Sequence, residues 1–85
     1  MMVGIDTPMH GWSHLAATDL DELHDFAQKL GLWRSWFQNK PGRPHYDVRQ
    51  EHYHKAIALG AVPMKRRELV LMLRQYYEEN IGKNK

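Results

Sequence analysis

The chain has 85 residues, a formal net charge of +2, six histidines and no cysteine. A single domain of this length buries only roughly 60% of the surface its unfolded chain exposes, so its core is marginal. The missing cysteine excludes a disulfide framework, a cysteine-based zinc site and a thiol nucleophile.

Oligomerisation is the expected support for so small a core, giving a homo-oligomer. A charge of +2 does not supply the broad basic face that a long nucleic acid needs. The basic residues are uneven. Lys65-Arg66-Arg67 form a block, and Arg43, Arg49 and Lys55 flank a central His45-Tyr46-Asp47. That distribution fits a small anionic ligand. The first apolar run stops at Asp6, so no signal peptide is expected. Nothing approaches the roughly 18 apolar residues of a membrane span, so none is expected, and the lack of cysteine suits a reducing cytoplasm.

Met2 to Ile5 reads as a short strand ending at Asp6, broken by Thr7-Pro8. Trp12 to Ala17 alternates, with Trp12, His14 and Ala16 on one face of a second strand. Thr18 is suited to cap a helix from about Asp19 to Leu30. Asp19, Asp21 and Glu22 lie in its first turn, where the helix dipole favours them. Leu20, Leu23, Phe26, Ala27 and Leu30 make its apolar stripe, and Gly31 stops it. His24 lies about 100° from the centre of that stripe, at its rim.

Arg34 to Gln38 is a third strand candidate. Asn39 to Pro44 reads as a loop turning at Pro41-Gly42. Asp47 is placed to cap a second helix, with Gln50 completing a capping box. Tyr53, Ala56, Ile57, Gly60 and Ala61 are that helix's apolar face. Val62-Pro63-Met64 is an extended link. A third helix runs from about Lys65 to Asn80. It carries Leu69, Met72, Leu73 and Tyr76 in one stripe, widened by Val70 and Tyr77, with Leu71 opposite. A helix apolar on most sides wants more than one neighbour, which points to an oligomer surface. The fold class is α/β in the α+β sense: a small sheet of short strands packed by three helices.

The ordered pieces are distinctive together: Asp6, Trp12-Ser13-His14-Leu15, Asp21-Glu22-Leu23-His24-Asp25-Phe26-Ala27, Leu30-Gly31-Leu32, Trp36-Phe37-Gln38, His45-Tyr46-Asp47-Val48 and Lys55 to Val62. Over roughly residues 2 to 64 this set resembles a small bacterial and phage family described as a domain of unknown function, DUF4031. The resemblance implies a compact α/β unit over residues 1–64; residues 65–85 then form a helical extension, read from its apolar faces as an oligomerisation element. Its signature positions are His14, His24, Trp36, Gln38 and His45-Tyr46-Asp47. It brings no established activity. The family often has an acidic pair after its first strand, and Thr7 after Asp6 weakens such a metal site here.

Metal-free cleavage of a phosphodiester needs a base for the incoming oxygen and an acid for the leaving one. Imidazole serves both roles near neutral pH. His14 and His45 are the expected pair, with His24 and Asp47 orienting them. The plain alternative for each histidine is a structural hydrogen bond, and for Asp47 a helix cap. Arg49, read as inward-facing near a helix start, and Lys55 are the expected phosphate contacts. Tyr46 or Trp36 would stack on a base beside Gln38, although Trp and Phe are more often core. No Gly-rich phosphate loop or nucleophile elbow is present.

The expectation is therefore a phosphodiesterase-type hydrolase for a nucleotide phosphodiester, such as a cyclic oligonucleotide signal, working without a cofactor. A phage anti-defence role in the host cytoplasm is conceivable. The alternatives are a module that sequesters a nucleotide, and a metal-dependent nuclease or hydrolase. For the last, Asp6, His14, His24 and Asp47 would serve zinc or manganese.

Overall fold

Alternating side chains build a five-stranded sheet whose two faces are covered by different helices. The computed structural model describes residues 3–83, with side chains through residue 77. The strands are β1 (Val3–Asp6), β2 (Trp12–Ala17), β3 (Phe37–Lys40), β4 (Arg43–Arg49) and β5 (Val62–Met64). The helices are α1 (Leu20–Leu30), α2 (Tyr53–Ala58) and α3 (Arg66–Lys83). The sheet order is β3-β4-β2-β1-β5. All neighbours are antiparallel except β1 and β5, which are parallel. The fold is α+β, as the sequence suggested. Met2, the expected first strand residue, lies outside the described residues.

On one face, Val3 and Ile5 of β1, Leu15 and Ala17 of β2, and Tyr46 and Val48 of β4 are buried. They pack with Leu23, Ala27 and Leu30 of α1 and Ala56 of α2. Each fully buried Leu, Ile or Val side chain here contributes about 1.5–3 kcal/mol. The cap of α1 is Asp19, one residue later than expected, with its carboxylate accepting from the Glu22 N–H at 3.1 Å. Gly31 ends the helix with φ 96°, a left-handed geometry that other residues resist.

The other face carries Gly4, His14, Ala16, His45 and Asp47. Leu69 and Leu73 of α3 pack on Ala16 there, and the Tyr77 hydroxyl donates to the Ala17 carbonyl at 3.2 Å. Gly4 makes the approach feasible. A Cβ at this position would lie 2.9 Å from Leu69 Cδ1.

The middle of the chain differs from its sequence reading. The expected strand at 34–38 is a single 3₁₀ turn, Arg34–Trp36, followed by β3. The turn at Pro41-Gly42 forms as expected, but it joins two strands, because Lys40 pairs with Arg43 and Asn39 with Pro44. Pro44 lies beyond the Leu15–Tyr46 pair, the last between β2 and β4, so its missing N–H costs no bond to β2. Asp47 sits inside β4 and caps no helix. A 3₁₀ turn at Gln50–His52 precedes α2, which begins at Tyr53 with no side-chain cap. Val62–Met64 is an edge strand beside β1 rather than a link.

Candidate functional site

Period-two geometry places Arg43, His45, Asp47 and Arg49 on one face of β4, opposite the buried Pro44, Tyr46 and Val48. His14 of β2 pairs directly with Asp47 across the strands, and Gln38 of β3 pairs with His45. Asp6 follows the Ile5–Leu15 pair on β1 and so stands beside His14. The sheet thus sets Asp6, His14 and Asp47 in a row, with His45 diagonal to it.

Asp6 is buried, with 3% of its side chain exposed. It accepts from the His14 backbone N–H at 2.6 Å and meets His14 Nδ1 at 2.8 Å through its other oxygen. The second bond fixes the ring: Nδ1 carries the proton and Nε2 faces outward. The Asp6 hydrogen bond raises the His14 pKa above 6.5, against the effect of partial burial. Asp47 adds to the rise and Arg66 opposes it.

His45 is fixed in the same sense by another acceptor. Its Nδ1 lies 2.7 Å from the Arg43 carbonyl oxygen. A carbonyl only accepts, so Nδ1 carries the proton and Nε2 offers a lone pair. That Nε2 lies 3.3 Å from Asp47 Oδ1, and His14 Nε2 lies 3.8 Å from the same oxygen. The two rings meet edge to face, 5.2 Å apart.

Two openings flank this cluster. A recess of about 70 Å³ is lined by Asp6, His14, Arg43, His45, Arg66 and Leu69. A larger cleft of about 500 Å³ is lined by Trp12, Ser35, Trp36, Gln38, Asp47 and Arg49. The Arg49 guanidinium lies over the Trp12 ring, 5.2 Å from its centre. Trp36 is 48% exposed at this cleft, available to a planar ligand.

The sheet therefore gathers His14, His45, Asp47, Arg49, Gln38 and Trp36 on one side of the molecule. It separates the rest. His24 is on the α1 side, where its Nδ1 is 2.8 Å from the Tyr46 hydroxyl and its ring packs on Phe37. It orients neither His14 nor His45 and stands apart from the Asp6-His14-Asp47 row. Burial lowers its pKa, with Arg34 acting in the same direction. Tyr46 is 1% exposed, a core residue rather than a stacking platform, because its strand position faces α1. Lys55 is exposed on α2 and lines neither opening. Arg49 ends a strand and does not lie inside a helix.

Four contributors were outside the residues chosen for the site from the sequence. Asp6 stood as a metal-ligand candidate, not as the partner of His14. Arg43 and Trp12 join through strand periodicity. The alternation from Arg43 to Arg49 was the signal that could have found the β4 group. Arg66 arrives only through the packing of α3.

Fold and site together define a small α+β protein with a His-Asp cluster on one sheet face. The chain belongs to the family described as protein of unknown function (DUF4031), whose model matches residues 4–76. The matched region takes in the first part of α3. No curated protein and no solved structure matches the chain. Among the described residues, no helix is long and apolar enough to cross a membrane.

Proposed function

We propose that the chain hydrolyses a nucleotide-type phosphodiester, with His14, His45 and Asp47 as its reaction centre. One observation carries this reading: two imidazole Nε2 atoms approach the same Asp47 oxygen beside an Arg-lined recess. A nucleophilic oxygen brought to that point loses its proton there. Arg43 and Arg66 would meet the phosphate charge, and Trp12 and Trp36 would hold the base.

The geometry also bears on the roles. In-line displacement sets the attacking and leaving oxygens on opposite sides of phosphorus. Both imidazoles approach one carboxylate oxygen, so this reading puts both on the nucleophile's side. An adjacent 2′-hydroxyl is then the readiest nucleophile. It forms the new P–O bond as the P–O5′ bond breaks: its proton passes to an imidazole Nε2, the departing 5′ oxygen takes a proton from water, and a second water then opens the cyclic phosphate to complete the hydrolysis. A cyclic oligonucleotide signal or a short RNA, met in the cytoplasm, is the substrate class this suits. An anti-defence role in a phage-infected cell would follow from such a substrate.

The test is incubation with cyclic dinucleotides and RNA dinucleotides, followed by chromatography of the denatured mixture. Turnover that disappears in His45→Gln and Asp47→Asn is expected. A ligand bound tightly but recovered intact would favour the second reading, a sequestering module, which the Arg49-on-Trp12 stack beside Trp36 supports by itself. Neither binding nor turnover overturns both. Self-association is part of the proposal, supported by the exposed Val62, Val70 and Leu71. Light scattering checks it, and a monomer at all concentrations would remove it.

A further inference from the structure

With both rings neutral, His14 Nε2, His45 Nε2 and Asp47 Oδ1 are three lone-pair donors facing one another. Each of the three residues offers a ligand atom within 4.8 Å of those of the other two. None of the three brings a proton to the others, since each ring's single N–H is committed to its Nδ1 partner. A cation standing among them would be held by all three.

We propose that this point is a zinc-class divalent metal site, held by His14 Nε2, His45 Nε2 and an Asp47 oxygen. Bond lengths of about 2.0–2.2 Å put neighbouring ligands of a tetrahedral zinc about 3.3–3.5 Å apart. The His45–Asp47 separation is 3.3 Å and the His14–Asp47 separation 3.8 Å. One of the three edges is therefore preformed, and side-chain adjustment must close the His14–Asp47 edge and the His14–His45 edge, which is within 4.8 Å. Three protein ligands leave a fourth position for water or substrate, as in catalytic zinc sites.

The outer partners are an independent observation. Histidines that ligate a metal almost always donate their other ring N–H to a carboxylate, a backbone carbonyl or water. Here His14 Nδ1 is matched to the Asp6 carboxylate at 2.8 Å and His45 Nδ1 to the Arg43 carbonyl at 2.7 Å. Asp6 is a positioning residue in this scheme, not a ligand. Arg43 and Arg66, at the recess, would face an anion on the open position.

The site concerns the same residues as the proposed hydrolysis but does not depend on it. Protein freed of metal by chelation is titrated with zinc chloride by calorimetry, without substrate. One zinc per chain with micromolar or tighter affinity is expected. His45→Gln and Asp47→Asn should each weaken it at least about 10-fold, and Asp6→Asn about 10–100-fold. His54→Ala, an exposed histidine of α2, should leave it unchanged. Circular dichroism in chelator shows that the variants fold, and partly exposed Asp47 makes Asp47→Asn the safest of them. Millimolar binding, or binding that survives both His45→Gln and Asp47→Asn, overturns the site. Turnover that persists while zinc binding fails overturns the metal but leaves the hydrolase. Zinc bound at this site without turnover leaves the metal and removes the hydrolase.

Discussion

Asp6 holds His14 twice, through the backbone N–H at 2.6 Å and through ring Nδ1 at 2.8 Å. One buried carboxylate thus fixes both the position of β2 and the tautomer of the side chain it carries. A carboxylate this buried needs such partners, because an unpaired buried charge is costly.

Asp6→Asn should separate these two duties. The amide oxygen still accepts from the His14 N–H, but the amide NH₂ then faces Nδ1 and favours the opposite tautomer. Stability should fall by about 1–3 kcal/mol. Turnover of whichever dinucleotide proves to be a substrate in the assay above should fall at least about 100-fold, since a wrong tautomer removes the Nε2 lone pair. A variant that loses stability while keeping its turnover would reduce Asp6 to a structural role.

The stacking cleft should govern binding more than chemistry. Trp12→Ala removes the ring under the Arg49 guanidinium. Loss of one base-stacking contact costs about 1–3 kcal/mol. KM for a nucleotide substrate should rise roughly 5- to 150-fold, by the same figure, while kcat changes little. Steady-state kinetics checks this, and an unchanged KM would place the ligand elsewhere.

The pH dependence of stability should reveal His24. Its pKa lies below 6.5 in the folded protein because burial penalises the charged ring. Unfolded chain then takes up a proton more readily than folded chain. Stability is full above about pH 6.5 and declines as pH falls from there through the folded-state pKa. The raised pKa of His14 acts oppositely: its contribution is present below pH 6.5 and is lost as pH rises through its folded value. Denaturant melts from pH 5 to 8 in chelator should therefore show a weaker acid-side decline for His24→Gln than for the native chain. Identical profiles would contradict this assignment.

Gly4→Val should disturb the site from a distance. The added side chain meets Leu69 Cδ1, 2.9 Å from the Cβ position, and Met64 Cε at 3.1 Å. Overpacking of this kind costs about 1–3 kcal/mol. It should also shift α3 and with it Arg66, weakening phosphate binding without touching the histidines. Thermal melts and inorganic phosphate titration read the two effects. An unchanged melting temperature would mean that α3 moves aside freely.

Local patterns carried the first two strands and the first helix. The alternation in Trp12–Ala17, the stripe through Leu23, Ala27 and Leu30, and the Gly31 stop are nearest-neighbour matters of period and backbone freedom. They were legible for that reason. β4 was misread because Pro44 and Asp47 each give a strong local signal, for a loop and for a cap. A strand between two partners overrides both, since its backbone groups find their bonds in β2 and β3. Two histidines and an aspartate were visible as candidates. The exclusion of His24 from their group was not, because the face on which each histidine lies is known only once the sheet has formed.

The sequence by itself determined that the chain is a small, cysteine-free α+β domain, rich in imidazole and close to neutral in charge. It also determined that His14, His45 and Asp47 were worth attention, because residue chemistry is local. Only the tertiary structure decided that these three share a face, that Asp6 and the Arg43 carbonyl fix their ring tautomers, and that His24 and Tyr46 belong to the opposite side. The reason is strand register. Side chains 31 and 33 residues apart in the chain become neighbours only when β2 pairs with β4, with His14 opposite Asp47, and a shift of one residue would send every one of them to the other face.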